Sequence, residues 1–170
     1  SGRLVGGRAA SLRLSIIWFC GVDHRLLEAG GVGGVRFVND SKATTVAATL
    51  KALASFDRPV VLILGGRGKG GDFSPLRKDV GKRVRSVVLV GEAADQIEAA
   101  LGGVVPVDRV SDYREVVRTA FARAVRGDLL LLAPPCTRWD MFRDFEERGR
   151  TFKREVRRLD AGLRKKGVRR

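Results

Sequence analysis

The chain has 170 residues, 44% hydrophobic and 31% charged, enough for one domain with a single buried core. Its formal charge is +14, from 33 basic residues (25 of them Arg) against 19 acidic ones, so anions are the expected ligands: a nucleotide, a phosphorylated substrate or nucleic acid. No apolar run reaches the ~20 residues that span a bilayer, "LSIIWFCGV" lacks a leader's cleavage site, and Cys20 and Cys136 stand apart, which argues against a disulfide framework or a zinc site and suits a reducing cytosol.

Residues 1 to about 22 show no clear period. The chain opens on Ser1 and its single methionine is Met141, the mark of a processed start or of a piece of something longer. From Val35 the pattern becomes regular. Val35 to Asn39 reads as a strand and Thr44 to Ser55 as a helix, with Val46, Leu50, Leu53 and Ala54 on one face. "PVVLILGG" is a continuous apolar run ending in glycines, as in a buried parallel strand. "SPLRKDV" predicts a short helix with Pro75 in its first turn. "RSVVLVG" is a second buried strand, followed by the helix "EAADQIEAAL". "VVPVDRV", broken by Pro106, predicts a short strand near a sheet edge. A helix from about Asp112 to Arg126 leads to the strand in "GDLLLLAPP". The last helix is expected from about Trp139 to Leu159, with Phe142, Phe145, Phe152, Val156 and Leu159 at helical spacing.

This alternation predicts an α/β domain: a Rossmann-like open, mostly parallel sheet with helices on both faces. Such sheets bind ligands beyond the carboxyl ends of their strands. Three polar clusters fall there: "NDSKATT", "GGRGKGGDF" and "PPCTRWD". In the first, Asp40 offers two acceptor oxygens to a ribose and Lys42 a point charge to a phosphate, while Ser41 or Thr44 could instead cap the helix. The second brings Lys69 among glycines, but the P-loop signature fails because Gly70 follows the lysine and Leu64 stands five residues before it. In the third, Thr137 and Asp140 are cap candidates, Phe142 and Phe145 are read as core, and Cys136 as a buried thiol. No Ser/His/Asp set and no acid pair is visible, so hydrolytic or nucleophilic catalysis is unsupported.

Taken together, "HRL-E" at His24 to Glu28, "GVRFVNDSKATT", "LILGGRGKGGDFSPL" and "GDLLLLAPPCTRWDMFRDFEERGRTFK" resemble, in order and spacing, the C-terminal domain of the Mur ligases. The match is best within their D-glutamate-adding branch. It covers about Asp23 to Leu159; residues 1–22 form a poorly defined segment, 23–160 the domain and 161–170 a basic tail. Other Mur ligases and folylpolyglutamate synthase are runners-up, since an Asp-Tyr-Ala-His-like box usually stands where this chain has "NDSKAT". A basic nucleotide- or nucleic-acid-binding module without catalysis is the alternative of a different class. Strong, salt-steep binding to duplex DNA would mark it, but the few aromatics make nucleic acid an unexpected partner.

The resemblance implies a cytoplasmic, monomeric enzyme of peptidoglycan synthesis. With ATP and Mg²⁺ it joins D-glutamate to UDP-N-acetylmuramoyl-L-alanine. Arg25 and Asp40 would contact adenosine, and Lys42 would serve catalysis near the phosphates. Thr44, Lys69 and Phe145 would hold D-glutamate, with Thr137 and Arg138 beside them. Arg138 stands where the family usually has Ser, so an arginine fork either pairs with the substrate carboxylate or fills its pocket. The P-loop and the Mg²⁺ ligands are expected on a central domain absent from these residues, so no metal ligand is expected here and the lone chain is expected to be catalytically silent.

Overall fold

The computed structural model describes residues 26–68, 70–136 and 141–167. In chain order these form β1 (Leu27–Val32), β2 (Val35–Asn39), α1 (Val46–Ala54), β3 (Val60–Gly65), α2 (Leu76–Arg83), β4 (Val84–Val90), α3 (Ala94–Leu101), β5 (Val107–Val110), α4 (Tyr113–Arg123), β6 (Leu129–Leu132) and α5 (Phe145–Lys165).

The strands make one sheet in the order β1-β2-β6-β3-β4-β5. Only β1 runs antiparallel to its neighbour; the other pairings are parallel. Every residue of β3 and β6 is buried, which is what a strand covered on both faces requires. Their side chains divide by parity. Leu62, Leu64, Leu129 and Leu131 pack under α1, α2 and α3, through Leu53, Leu76 and Ile97. Val61, Ile63, Leu130 and Leu132 face α4 and α5, through Val117, Phe152 and Val156. Burying Phe37 or Phe152, each fully enclosed, contributes about 1.5–3 kcal/mol. The expected α/β architecture is therefore present, with β5 at the predicted edge.

Some local expectations are corrected. The strand β1 was not anticipated, because "LEAGGV" has neither alternation nor an apolar run; it exists by pairing with β2. Helix α1 starts later than predicted, and its cap is Thr45, whose side chain accepts from the Ala48 N–H at 3.1 Å, rather than Ser41 or Thr44. Ala54 is exposed, and the polar Thr49 takes a place on the buried face. Its hydroxyl donates to the Ala133 carbonyl at 3.0 Å, which makes the burial tolerable. Helix α5 begins at Phe145, not Trp139, because the Asp144 carboxylate accepts the Glu147 N–H at 2.6 Å and closes the first turn there. It continues to Lys165, since Leu163 extends the apolar stripe beyond Leu159.

The amino-terminal rim of the sheet is fastened by one buried carboxylate. Asp128, the residue before β6 and 2% exposed, accepts Arg85 Nε at 2.6 Å, Arg85 Nη2 at 3.2 Å and the Val125 N–H at 2.9 Å. Arg85 reaches it across β3 from the start of β4. Asp128→Ala is expected to lower stability by about 2–3 kcal/mol in urea titration, because it leaves the Val125 N–H unsatisfied and the half-exposed Arg85 without its acceptor. A loss under about 0.5 kcal/mol would remove Asp128 from this role.

Candidate functional site

The site follows from strand order. β6 lies between β2 and β3, with Asn39 and Ile63 both in register with Leu132. The chain leaves β2 for α1 on one face of the sheet and leaves β6 for α5 on the other. Neighbouring strands whose following segments part to opposite faces open a crevice at their carboxyl ends. "NDSKATT" leads out of β2 there, and Phe145 at the start of α5 reaches it through Lys42.

The β2 end is tightly held. The Asp40 N–H donates to the Leu132 carbonyl at 2.8 Å, extending the β2–β6 ladder by one bond. The Asn39 side-chain oxygen then accepts both the Ser41 N–H at 3.1 Å and the Ser41 hydroxyl at 2.6 Å, and the Ala43 N–H donates to the Asp40 carbonyl at 2.9 Å. These bonds turn the chain at a fixed angle into α1. Asn39, Asp40 and Ser41 are buried, whereas Lys42 and Thr44 are half-buried. The Lys42 ammonium lies 5.8 Å from the centre of the Phe145 ring, within cation–π range. Phe145, read from sequence as core, is only partly buried and carries the lysine head on its ring.

Arg148, one turn into α5, is 1% exposed, and its Nη2 donates to the Ser41 carbonyl. Burial pulls the guanidinium down to about 10, with the Asp144 charge acting the other way, so it remains a cation at neutral pH. Burial pushes the Cys136 thiol up to about 11, which leaves it unreactive near pH 7. Ahead of the helix, the Arg143 N–H donates to Glu147 at 2.8 Å and holds that carboxyl below its usual range. Beside the β3 end, Arg67 and Glu92 pair through two bonds of 2.9 and 2.7 Å. The guanidinium lowers the Glu92 carboxyl, but both side chains are half-exposed and solvent screens the pair.

Of the residues singled out in the sequence, Asp40, Lys42 and Thr44 lie on the turn that follows β2, and Phe145 at the start of α5 meets that turn through the Lys42 ammonium. Arg25, Lys69, Thr137 and Arg138 lie outside the described residues. On the α4–α5 side of the rim is an open groove of about 440 Å³, lined among others by Arg114, Phe142 and Arg154 and not by Asp40, Lys42, Thr44 or Phe145. Among the described residues no three His, Cys, Asp or Glu side chains come together as a metal site, and no helix is long and apolar enough to cross a membrane. Sequence reasoning passed over Arg148, although its place between Phe145 and Phe152 puts it on the buried stripe of α5.

Comparison with known families decides what this crevice belongs to. Residues 24–136 match the family described as "Mur ligase, glutamate ligase domain". The chain belongs to that Mur ligase family. Among curated relatives, the UDP-N-acetylmuramoylalanine–D-glutamate ligase of Salinibacter ruber is 48% identical over 149 residues, covering 87% of this chain and 32% of the relative. This Mur ligase chain thus spans about a third of the length of the curated relatives it matches. Among solved structures, a murein peptide ligase from Psychrobacter arcticus superposes with a TM-score of 0.58 at 16% identity, over 86% of this chain and 31% of that one. A bifunctional folylpolyglutamate synthase/dihydrofolate synthase from Yersinia pestis, complexed with AMPPNP and Mn, gives 0.54 at 17%, over 82% of this chain and 32% of that one. At such identities the two structures establish the shared α/β fold of the Mur ligase domain.

Proposed function

We propose that these residues are the nucleotide-closing and D-glutamate-binding domain of an ATP-dependent ligase that joins D-glutamate to UDP-N-acetylmuramoyl-L-alanine. The observation that carries the reading is the Lys42 ammonium over the Phe145 ring at the end of β2, in a chain 48% identical to a ligase of that name. The presence of AMPPNP in a protein of the same fold supports a nucleotide as one ligand.

The donor set suits that chemistry. ATP, when bound, supplies the phosphoryl group that activates the substrate carboxylate. Lys42 presents a cation at the rim, restrained by the Phe145 ring and aimed to neutralise phosphate charge. Asp40 is assigned to the ribose hydroxyls. Thr44 offers a hydroxyl to the D-glutamate carboxylate, Lys69 a countercharge and Phe145 an apolar wall, with Thr137 and the Arg138 fork completing the pocket. Positioning and charge neutralisation dominate phosphoryl transfer, so no general base is needed among these groups. Mg²⁺ ligands and the P-loop are assigned to other parts of the ligase, and the reading places the protein among cytoplasmic, monomeric enzymes.

A domain graft tests the proposal. Residues 24–165 replace the matching third of the Salinibacter ruber relative, and phosphate release is measured with the muramoyl substrate and either glutamate enantiomer. Release dependent on D-glutamate is expected. A folded graft that is silent, or that accepts both enantiomers equally, would refute the assignment.

A further inference from the structure

Two residues one turn apart on α5 hold opposite ends of Lys42. Phe145 carries the ammonium on its ring, 5.8 Å from the centroid. Arg148, three positions on and therefore on the same helix face, donates to the Ser41 carbonyl, which belongs to the peptide that begins Lys42. β2 ends at Asn39 and β6 at Leu132, so this carbonyl lies beyond the β2–β6 ladder. An ion buried to 1% exposure is costly, and an apolar side chain of similar volume would fill the space more cheaply. The charge of Asp144 at the α5 cap also favours the cation. Through its bond to the Ser41 carbonyl the guanidinium joins the turn after β2 to the start of α5.

We propose that Arg148 is the positioning residue of the site: with Phe145 it clamps Lys42 at both ends and fixes the Asp40–Lys42 turn to the start of α5. The clamp deepens the ligase reading, on which the identity of the ligand rests, but the geometry itself is testable without any ligand. Movement of α5 would then carry the lysine with it, so an event at the Phe145 end is felt at the β2 end.

The test uses the whole chain, isotopically labelled, in original form and as Arg148→Met, Arg148→Lys and Phe145→Leu. Two nuclei report the clamp: the Lys42 Hε protons, displaced upfield by the Phe145 ring, and the Lys42 amide nitrogen, whose shift responds to the bond accepted by the Ser41 carbonyl. Arg148→Met is expected to change both while amides in β3 and β4 stay in place. Arg148→Lys is expected to change them less, since an ammonium still donates one bond. Phe145→Leu is expected to abolish only the Hε displacement. Unchanged Lys42 signals in a folded Arg148→Met chain would overturn the proposal; should that variant not fold, unchanged signals in Arg148→Lys would do so. A second arm follows ATP by phosphorus NMR in the domain graft, which holds the remaining parts of the ligase, where the clamp predicts binding about tenfold weaker in Arg148→Met, a change of about 1.4 kcal/mol. Lys42 signals that move without any effect of ATP would leave the clamp standing and defeat the nucleotide assignment instead.

Discussion

Replacing Gly65 by Ala is expected to be among the most damaging single-methyl changes in the chain, lowering stability by about 3 kcal/mol or more. Gly65 ends β3 opposite Val90 of β4, with φ at +147°. A Cβ built there would lie 1.8 Å from the Val90 carbonyl oxygen and 2.9 Å from its carbon. That oxygen accepts the Gly66 N–H at 3.0 Å, so the methyl group would occupy the space of a backbone hydrogen bond. The obstacle is backbone on both sides, and no rotamer change relieves it. Gly70→Ala is the control. Its φ is +61° and nothing lies within 4 Å of the added carbon, so only the left-handed conformation opposes it, at about 1–2 kcal/mol. Urea midpoints of the two variants check the difference. Equal losses would mean that the β3–β4 approach is looser than the geometry states.

The second large effect falls on activity instead of stability. In the active graft, Lys42→Ala is expected to reduce kcat by about 10²–10³, the scale found on removing one charge-stabilising donor. Its effect on the fold should be small, because the Phe145 contact of a half-buried lysine is worth about 0.5–1 kcal/mol. Stopped assays with denaturation curves on the same samples separate the two effects. A loss in kcat matched by a collapse in stability would make Lys42 a structural residue. An unchanged kcat with a raised KM would assign it to ground-state binding.

Much of this architecture was legible in the sequence, for physical reasons that differ between elements. β3, β6 and the Val87–Val90 stretch of β4 are buried on both faces and therefore appear as unbroken apolar runs. β5 revealed its edge position through Pro106. β1 left no such trace, because its pairing comes from the hairpin with β2 and not from its own side chains. The start of α5 was misplaced because Phe142 keeps helical spacing with Phe145 although it precedes the cap; it packs edge-on to Tyr113, with ring centres 4.7 Å apart. The crevice was legible because its polar cluster follows a strand. The clamp was not, since an arginine in "FEERGR" reads as a solvated charge until the stripe through Phe145, Phe152 and Val156 is traced across it. Asp40 shows a further limit: the sequence places it at the rim, but only the structure shows it 3% exposed.

On the proposed function, the end of β2 and the start of α5 recognise D-glutamate. The most direct measurement titrates the labelled chain with D-glutamate and with L-glutamate into the millimolar range, where binding of roughly −4 kcal/mol is detectable, alongside Arg138→Ser. Shifts at the Lys42, Thr44 and Phe145 amides are expected with the D isomer alone, in the original chain or in the Ser variant. Equal response to both isomers, shifts confined to other surfaces, or no response from either protein would contradict that assignment.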